Sequence, residues 1–332
     1  MSLNLFTKNG LPCKVPEYEK EDDTPKFSLS DNLDKADNFY KKNGYVVLKK
    51  IFSSSSCEKL IKSWDEEVKP YKGFIYRQAS SGNLEKNIFN SQNWVMNPIL
   101  NLQSLNPNYF NKLRSNFENI IASNEKLANF INLLIGDRPA IVQSMYFEGN
   151  SATWEHQDSY YLDDEDTGSM LAGWIALEDI KADAGRFFVC PKSHLVDYAN
   201  MDFSNIITSN HKKYIQTIVN LIKENNFEVK APKLDKGDVL IWNALTIHGS
   251  LDSQSKSNSR SSITFHAIKS SSKFRVFRNI LRKLNFDKNY PFYIFRPKDL
   301  SKRRNKIVFF LEKNFPKLFY KLKKAVIELK VK

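Results

Sequence analysis

The tripeptide His156-Gln157-Asp158 is the feature of the sequence with the clearest chemical potential. In an extended segment, residues i and i+2 point to the same side, so this imidazole and this carboxylate can bind one metal ion together. His248 follows the apolar run 239–242 and would complete a set of two histidines and one carboxylate. Such a set leaves three positions of an octahedron open, as non-haem Fe(II) needs when an oxidant and a co-substrate bind together. The tripeptide alone is weakly diagnostic, because a chain with 37 acidic residues can contain one by accident, as a surface His near a carboxylate.

A candidate anion-binding residue follows His248 by twelve positions. Arg260 begins a predicted strand over residues 261–268. Alternate residues of that strand share one polar face, namely Arg260, Ser262, Thr264 and His266. A guanidinium binds a carboxylate through two parallel hydrogen bonds and stays charged, so Arg260 would suit the remote end of an α-keto diacid whose other end chelates iron. A surface Arg on an edge strand is the alternative.

The elements that would position these residues change in character at Gly136. From Lys35 to Ile135 apolar residues recur at helical spacing, with one helix that begins at a Ser55–Glu58 capping box and another over 117–134. A short strand over 45–48 interrupts the helices. After Gly136 short strands follow one another, over 140–147, 172–177, 186–189, 238–242 and 261–268. We therefore expect a mainly β protein with flanking helices, and residues 198–226 form a predicted insertion of helical character.

Composition restricts the class of protein. The chain has 332 residues, of which 41% are hydrophobic and 26% charged, values that are ordinary for a folded soluble enzyme and exclude collagen-like, coiled-coil and wholly disordered chains. No apolar run approaches the roughly 20 residues that cross a bilayer, and the first residues lack a signal peptide's apolar stretch. We expect a cytoplasmic protein. Cys13, Cys57 and Cys190 lack CxxC spacing and are predicted to be free thiols.

The net charge of +13 is concentrated at the C-terminus. Residues 269–332 contain 20 Lys and Arg against four Asp and Glu, a net +16, whereas residues 1–268 carry −3. The basic residues are interleaved with Phe, Leu and Ile in a helical pattern that prolines interrupt. Three interpretations remain open for this basic extension: a helical extension packed on the barrel, a peripheral membrane contact, or a contact with a protein partner. No nucleic-acid partner is expected, because no recognition fold accompanies the charge.

Five ordered segments are similar to the phytanoyl-CoA dioxygenase-like (PhyH) family of Fe(II)- and 2-oxoglutarate-dependent oxygenases. The resemblance runs from Phe39 to about Ile268. The segments are Phe39 to Leu48, Trp154 to Asp158, Gly173 to Asp179, Ala184 to His194, and Lys236 through His248-Gly249-Ser250 to Arg260. The family commonly has Pro-Gly-Ser-His where this chain has Pro191-Lys192-Ser193-His194, so a different turn is expected there. His194 looks structural by this resemblance, while His211 and His266 match no family role.

The resemblance implies a double-stranded β-helix, a jelly-roll or cupin-like barrel, with its core at about 136–268 inside an oxygenase domain over 36–268. Residues 1–35, rich in proline and charge, would form an extended or poorly ordered arm, and 269–332 the basic helical extension. The resemblance makes His156, Asp158 and His248 the iron ligands.

The same resemblance implies the co-substrate site. Arg260 would bind the distal carboxylate of 2-oxoglutarate, and Gln143, Trp174 and Ser250 would lie near this co-substrate. Trp174 is equally plausible as a core residue. Because the carboxylate ligand is kept, whereas related halogenases replace it, hydroxylation or desaturation is expected.

The implied reaction is hydroxylation, desaturation or cyclisation of a small molecule, with O2 consumed and succinate and CO2 released. Candidate substrate contacts are Tyr146, Tyr160, Tyr161 and Arg77, although a Tyr is more often a packing residue. Two other functions remain open. A cupin-like metal isomerase or epimerase would share the barrel and the histidines but would not need Arg260, and a non-catalytic binding module would need none of the four site residues.

Overall fold

The computed structural model describes residues 2–30, 33–78, 84–149, 151–196, 211–276 and 280–321. The part before the barrel contains strands β1 (Ser2–Phe6), β2 (Pro12–Pro16) and β3 (Lys26–Phe27), helix α1 (Leu33–Asn43), strand β4 (Tyr45–Leu48), helix α2 (Ser54–Ser63), strands β5 (Ile75–Tyr76), β6 (Leu84–Glu85) and β7 (Ile99–Leu100), and helices α3 (Asn111–Asn116) and α4 (Glu125–Ile135). Helices α2 and α3 continue into π-helical segments, Trp64–Val68 and Phe117–Ala122.

The barrel and the C-terminal part follow. The barrel contains β8 (Pro139–Phe147), β9 (Thr153–His156), β10 (Leu162–Asp164), β11 (Leu171–Ala176), β12 (Phe187–Val189), helix α5 (His211–Glu224), β13 (Val239–Asn243), β14 (His248–Ser250) and β15 (Ser262–Lys269). The C-terminal part contains β16 (Phe274–Val276), β17 (Ile280–Arg282), β18 (Tyr293–Ile294) and helix α6 (Arg303–Asn314). Short 3-10 turns lie at Glu19–Glu21, Leu102–Ser104, Asp158–Tyr160 and Ser193–Leu195.

A large sheet is the centre of the fold. Within the described chain it has eight strands in the order β18-β8-β15-β11-β13-β4-β3, with β7 also paired to β8. Alternate residues of its central strands are apolar and point to one face, where they pack on α1 to α4. Val46, Ile175, Ile241, Ile263 and Phe265 belong to this layer. Each such fully buried side chain contributes about 1.5–3 kcal/mol, so this face accounts for much of the stability.

A small sheet faces the other side of the large sheet. It has the order β12-β14-β9. The ring of Phe187 on β12 lies 4.6 Å from the ring of Trp242 on β13 and 6.2 Å from the ring of Trp174 on β11. The two sheets therefore enclose a common interior. Gln143 stays partly exposed in the middle of β8, so this interior is incompletely filled by side chains.

The N-terminal segment covers the outside of the small sheet. Strands β1 and β2 form an antiparallel hairpin, and Leu11, Cys13 and Val15 pack with Phe188 and with Tyr214 of α5. Residues 2–16, in the segment predicted to be an extended or poorly ordered arm, thus form two extended strands packed as a hairpin. Alternating apolar residues at 11, 13 and 15 drive this packing, because one face of a strand is then apolar. Cys13, Cys57 and Cys190 are buried free thiols, as predicted.

The basic extension contains more strand than its sequence pattern indicated. Strands β10, β16 and β17 form a three-stranded sheet in that order, and β18 joins the large sheet beside β8. In the described part of the extension, helical structure is limited to α6 and residues 316–321, on either side of the break before Pro316. Residues 198–210 of the predicted helical insertion and residues 322–332 of the extension lie outside the described residues.

Two predicted helix boundaries differ from the structure. Helix α2 is capped by Ser53, whose hydroxyl accepts a hydrogen bond from the Ser56 backbone N–H, and not by a box that begins at Ser55. The predicted helix over 117–134 is divided, because Asn124 caps a new helix, α4, by accepting from the Leu127 N–H at 3.0 Å. A side chain that satisfies free N–H groups can start a helix inside an apolar pattern.

The contribution of the hairpin can be measured with one buried and one exposed residue of β2. Val15→Ala is expected to lower the free energy of unfolding by about 2 kcal/mol, because it removes two methyl groups from a fully buried site. Lys14→Ala, on the exposed side of the same strand, should change it by less than about 0.5 kcal/mol. Urea unfolding measures both, and equal effects would show that the hairpin does not pack on the barrel.

Candidate metal centre

Three predicted ligands meet at the edge of the small sheet. His156 ends β9, Asp158 begins the 3-10 turn that follows, and His248 begins β14. One ligand atom from each residue lies within 4.8 Å of the others. Asp158 Oδ1 is 3.5 Å from His248 Nε2 and 3.9 Å from His156 Nε2. Two ligands at right angles, with bonds of about 2.1 Å to one ion, lie about 3 Å apart. Small side-chain rotations therefore let these residues hold a metal ion.

Backbone carbonyls select the metal-binding form of both histidines. His156 Nδ1 lies 2.8 Å from Trp154 O, and His248 Nδ1 lies 2.9 Å from Thr246 O. A carbonyl oxygen only accepts, so each Nδ1 carries the hydrogen and each Nε2 presents its lone pair. Burial, with the neighbouring His248, lowers the pKa of His156 to about 3. His156 is thus neutral at neutral pH, as a metal ligand must be.

The close pairing of β9 with β14 brings the two histidines together. His156 and His248 are direct cross-strand partners, and their rings lie 4.2 Å apart. Gly249, next to His248, makes this approach possible. A Cβ at Gly249 would lie 2.8 Å from Thr153 O and 2.6 Å from a ring carbon of Phe188. A side chain there would force β9 away from β14.

The large sheet orients the carboxylate. Trp242 Nε1–H donates to Asp158 Oδ2 at 2.8 Å, and His266 Nε2 lies 3.4 Å from the same oxygen. These contacts occupy Oδ2 and leave Oδ1 directed at the two ligand histidines. Burial raises the pKa of Asp158, but the imidazoles of His248 and His266 outweigh it and hold the pKa well below its usual value. The carboxylate is therefore ionised.

Arg260 is a buried cation without an ion-pair partner among the described residues. Its side chain is 3% exposed, and its Nη1–H donates to Gly185 O at 2.5 Å. Burial lowers the pKa of Arg260 to about 10, while Asp252 opposes the shift, so the guanidinium is charged at neutral pH. The backbone φ of +64° is in the left-handed region, which costs a non-glycine residue about 1–2 kcal/mol. A buried, unpaired charge on a strained backbone suits a site for an external anion.

The residues predicted near a co-substrate line the same interior. Gln143 lies directly opposite His266 across β8 and β15. Trp174 lies opposite Thr264, on the inward face of β11. Ser250 Oγ accepts from Thr153 N–H at 3.1 Å and thereby also ties β14 to β9.

One of the candidate substrate residues lies beside the metal ligands. The Tyr161 ring is 5.9 Å from the His156 ring, and its hydroxyl is 2.7 Å from His211 Nε2. Tyr160 is buried and stacks on Tyr214 of α5 with ring centroids 3.5 Å apart. The structure therefore places Tyr160 in the packing of α5.

Two other candidates are placed in the N-terminal region and the helix-facing core. Tyr146 is stacked on Trp64, with centroids 4.0 Å apart, on the face of β8 opposite to the interior. Arg77 is fully buried and donates to Asn97 O at 2.8 Å and to the Asn87 side chain. The side chain of Tyr146 is thus engaged in packing, and that of Arg77 in local hydrogen bonds.

Several contributors to the site were missed in the sequence. In the sequence Trp242 is indicated only as part of an apolar strand, and His266 matches no family role although its alternation with Arg260 predicts the same polar face. Phe187 packs 5.4 Å from the His248 ring. The hairpin reaches the centre as well, since the side chains of Thr7 and Asn9 donate to the buried Glu155 carboxylate, next to His156. No local sequence signal indicates this last contact.

The role of Trp242 in orienting Asp158 can be tested through metal affinity. Trp242→Phe removes the N–H that holds Oδ2 and should weaken Co(II) or Fe(II) binding about tenfold or more, the usual effect of losing a hydrogen bond to a ligand. Trp64→Phe is the matched control, because it removes an indole donor to the Glu148 carboxylate, 3.2 Å away in the N-terminal layer. Anaerobic calorimetric titration measures both. Equal metal affinity in the Trp242 variant and the wild type would refute this role.

Comparison with known sequences agrees with these features. The sequence model of the phytanoyl-CoA dioxygenase (PhyH) family matches residues 40–262. Phytanoyl-CoA dioxygenase domain-containing protein 1 of Bos taurus is 25% identical over 270 residues, which cover 68% of this chain and 87% of the bovine protein.

Solved structures share the fold. EctD from S. alaskensis, in a structure with 2-oxoglutarate and 5-hydroxyectoine, has a TM-score of 0.53 at 16% identity and covers 87% of this chain and 90% of its own. The non-haem α-ketoglutarate-dependent carbocyclase SnoK from nogalamycin biosynthesis has a TM-score of 0.55 at 16% identity, with 76% and 89% covered. The facing sheets are thus the double-stranded β-helix that the resemblance implied, and the predicted fold class is confirmed. With the family model spanning residues 40–262, the chain belongs to the phytanoyl-CoA dioxygenase family.

Proposed function

We propose that this protein is an Fe(II)- and 2-oxoglutarate-dependent oxygenase that hydroxylates, desaturates or cyclises a small molecule. His156, Asp158 and His248 would hold the iron. When bound, Fe(II) and 2-oxoglutarate together supply the activation of O2, with release of succinate and CO2. The ligand set supports iron, because two imidazoles and one carboxylate that leave open positions suit this ion.

The observation that carries the proposal is Arg260 in the barrel, a buried guanidinium without an ion-pair partner in the described part of the chain. An isomerase or epimerase that needs only a metal has no use for a desolvated guanidinium, whereas a dicarboxylic co-substrate supplies the missing anion. In the proposal, Arg260 binds the distal carboxylate, and Gln143, Trp174 and Ser250 line the space between this carboxylate and the metal. A binding module that had lost activity would gain nothing from keeping this buried charge, which costs stability unless it is paired.

The chain's own residues would orient the reactants and exclude water. The carbonyls of Trp154 and Thr246 hold both imidazoles in the metal-binding tautomer. The rings of Trp242 and Phe187 give the interior apolar walls on the side of His248. A desolvated interior of this kind strengthens the interaction of Arg260 with a carboxylate.

The substrate would bind on the side of His156 that faces Tyr161. There Trp154 Nε1–H donates to the Tyr161 hydroxyl at 3.4 Å, and His211, the first residue of α5, contacts the same hydroxyl. Aromatic rings with polar tips suit a small molecule that has both apolar and hydrogen-bonding groups. Tyr161 is therefore the candidate substrate residue retained in the proposal.

The metal assignment can be tested by spectroscopy without a substrate. Anaerobic protein mixed with Fe(II) and 2-oxoglutarate should show the weak visible charge-transfer band of an iron-chelated keto acid. His248→Ala should abolish the band, because the ligand set then loses one of its three members. His194→Ala is the control, since His194 Nε2 bonds to Lys41 O and lies outside the cluster. A band that survives in His248→Ala would contradict the assignment.

The role of Arg260 predicts a specific loss of co-substrate affinity. Arg260→Gln should raise the 2-oxoglutarate concentration that half-saturates the band about 10- to 100-fold, because a charge-assisted pair is lost. Arg260→Lys keeps the charge but not the fork, and should lose less. Fe(II) affinity without 2-oxoglutarate, measured by calorimetry, should be unchanged in both variants. Unaltered 2-oxoglutarate affinity in Arg260→Gln would favour the metal isomerase.

A further inference from the structure

The outward face of the C-terminal helices leaves large apolar side chains in solvent. Five of them, which we call the apolar strip, are between 41% and 58% exposed: Ile307, Phe310, Leu311, Phe315 and Leu318. Ile307, Phe310 and Leu311 lie on α6, Phe315 lies at the break that ends it, and Leu318 lies in the helical residues 316–321. A single exposed apolar residue needs no explanation, but a group of them in one short segment marks an interaction surface.

The strip is exposed because the opposite face of α6 holds the helix on the protein. The Phe309 ring lies 5.5 Å from the Tyr76 ring, and Glu312 accepts a hydrogen bond from the Tyr76 hydroxyl at 2.8 Å. Positions 309 and 312 share one face of a helix, whereas 307, 310 and 311 lie about half a turn away. Docking of α6 on Tyr76 of the N-terminal layer therefore does not cover the strip.

The surroundings of the strip are positively charged. Residues 302–321 contain seven basic side chains, namely Lys302, Arg303, Arg304, Lys306, Lys313, Lys317 and Lys321. The acidic residue of this segment, Glu312, is buried and also accepts from Lys298 Nζ at 3.1 Å and from the Tyr320 hydroxyl at 3.0 Å. Its charge is thus used on the inner face. Lys313 Nζ lies 5.5 Å from the Phe74 ring, whereas Arg303 and Arg304, four and three positions before Ile307, are exposed on the side of the apolar strip.

We propose that this surface docks on an anionic lipid bilayer. Apolar side chains enter the boundary between head groups and acyl chains, while flanking lysines and arginines meet the negative head groups. No helix in the described ranges is long and apolar enough to cross a membrane, so the contact is peripheral. The 12 residues of α6 would lie along the membrane surface.

Other occupants fit the surface less well. A second copy of this chain would bring two strongly positive faces together, which like-charge repulsion opposes. A nucleic acid would satisfy the cations but leave the apolar strip in water. An anionic bilayer uses both kinds of side chain, and its negative charge complements the net +16 of residues 269–332.

The test is flotation of the full-length protein with vesicles of phosphatidylcholine containing about 30% phosphatidylserine. The protein should float with these vesicles, and at least about tenfold less should float with pure phosphatidylcholine, because the cations need anionic head groups. Hydrogen exchange should show added protection of 303–314 in the presence of the anionic vesicles. No flotation with the anionic vesicles would overturn the proposal.

Paired variants separate the apolar contribution from simple attraction of charge. Phe310→Ser combined with Leu311→Ser should reduce vesicle binding about tenfold, because two apolar anchors are removed without change of charge. Ile88→Ser combined with Leu133→Ser is the control, since these residues are exposed to a similar degree elsewhere. Arg303→Gln combined with Arg304→Gln should also weaken binding, because both exposed cations lie on the side of the apolar strip, and far-ultraviolet circular dichroism checks that each variant is folded.

Two results of these assays would refute bilayer docking. Binding that is unchanged in the Phe310/Leu311 variant but lost at about 0.5 M salt would mean that charge alone attracts the protein. Concentration-dependent dimerisation that the Phe310/Leu311 variant abolishes, without vesicle binding in the wild type, would assign the strip to a second copy of the chain.

Discussion

The pairing of β14 with β9 is the interaction on which the candidate metal centre depends. It makes His248 the cross-strand partner of His156 although the two are far apart in the chain. A sheet of strands as short as β9, β12 and β14 is marginally stable alone. Its outer face is therefore packed against the hairpin and α5, and its inner face against the large sheet. The N-terminal hairpin thus contributes to the site because it supports the strand that carries His156.

The small sheet and the turn after β9 carry the three candidate ligands, and the large sheet orients the carboxylate among them. Asp158 belongs to the turn after β9, but its Oδ2 is held by Trp242 of β13 and approached by His266 of β15. The site therefore forms only when the two sheets pack in the observed relative position, with Trp242 next to Asp158. The burial of Asp158 makes these contacts necessary. A buried carboxylate without a hydrogen bond to Oδ2 would be less stable, and its pKa would be higher.

The regular turn signals after Gly136 were sufficient to predict a β core, and the small number of histidines limited the candidate ligands. The resemblance to the family was needed for the double-stranded β-helix and for the ligand roles. The sequence was insufficient where a contact joins residues on opposite sides of the barrel. The residues around Trp242 do not indicate whether its indole N–H donates a hydrogen bond or its ring only packs in the core. Lys192 shows another limit, because it adopts a left-handed φ of +67°, a conformation that a lysine rarely adopts and that its sequence context does not predict. In the hairpin, Pro12 and Pro16 argue against a strand, although Leu11, Cys13 and Val15 alternate as strand residues do. The packing of these three side chains became evident only with the fold.

The protein deals with negative charge in two physically different ways. In the barrel one desolvated guanidinium, Arg260, lacks a described partner, so a single carboxylate of the right reach gains a strong, specific interaction. On the outer face of α6 solvated lysines and arginines are spread around an apolar strip, so each adds little and their effect depends on the summed charge of what they meet. In the proposed function, the first arrangement would discriminate between small molecules by geometry. In the proposed docking, the second would discriminate between surfaces by charge density. Because α6 is attached through Glu312 and Phe309 to Tyr76 in the N-terminal layer, the two would not compete for the same anion.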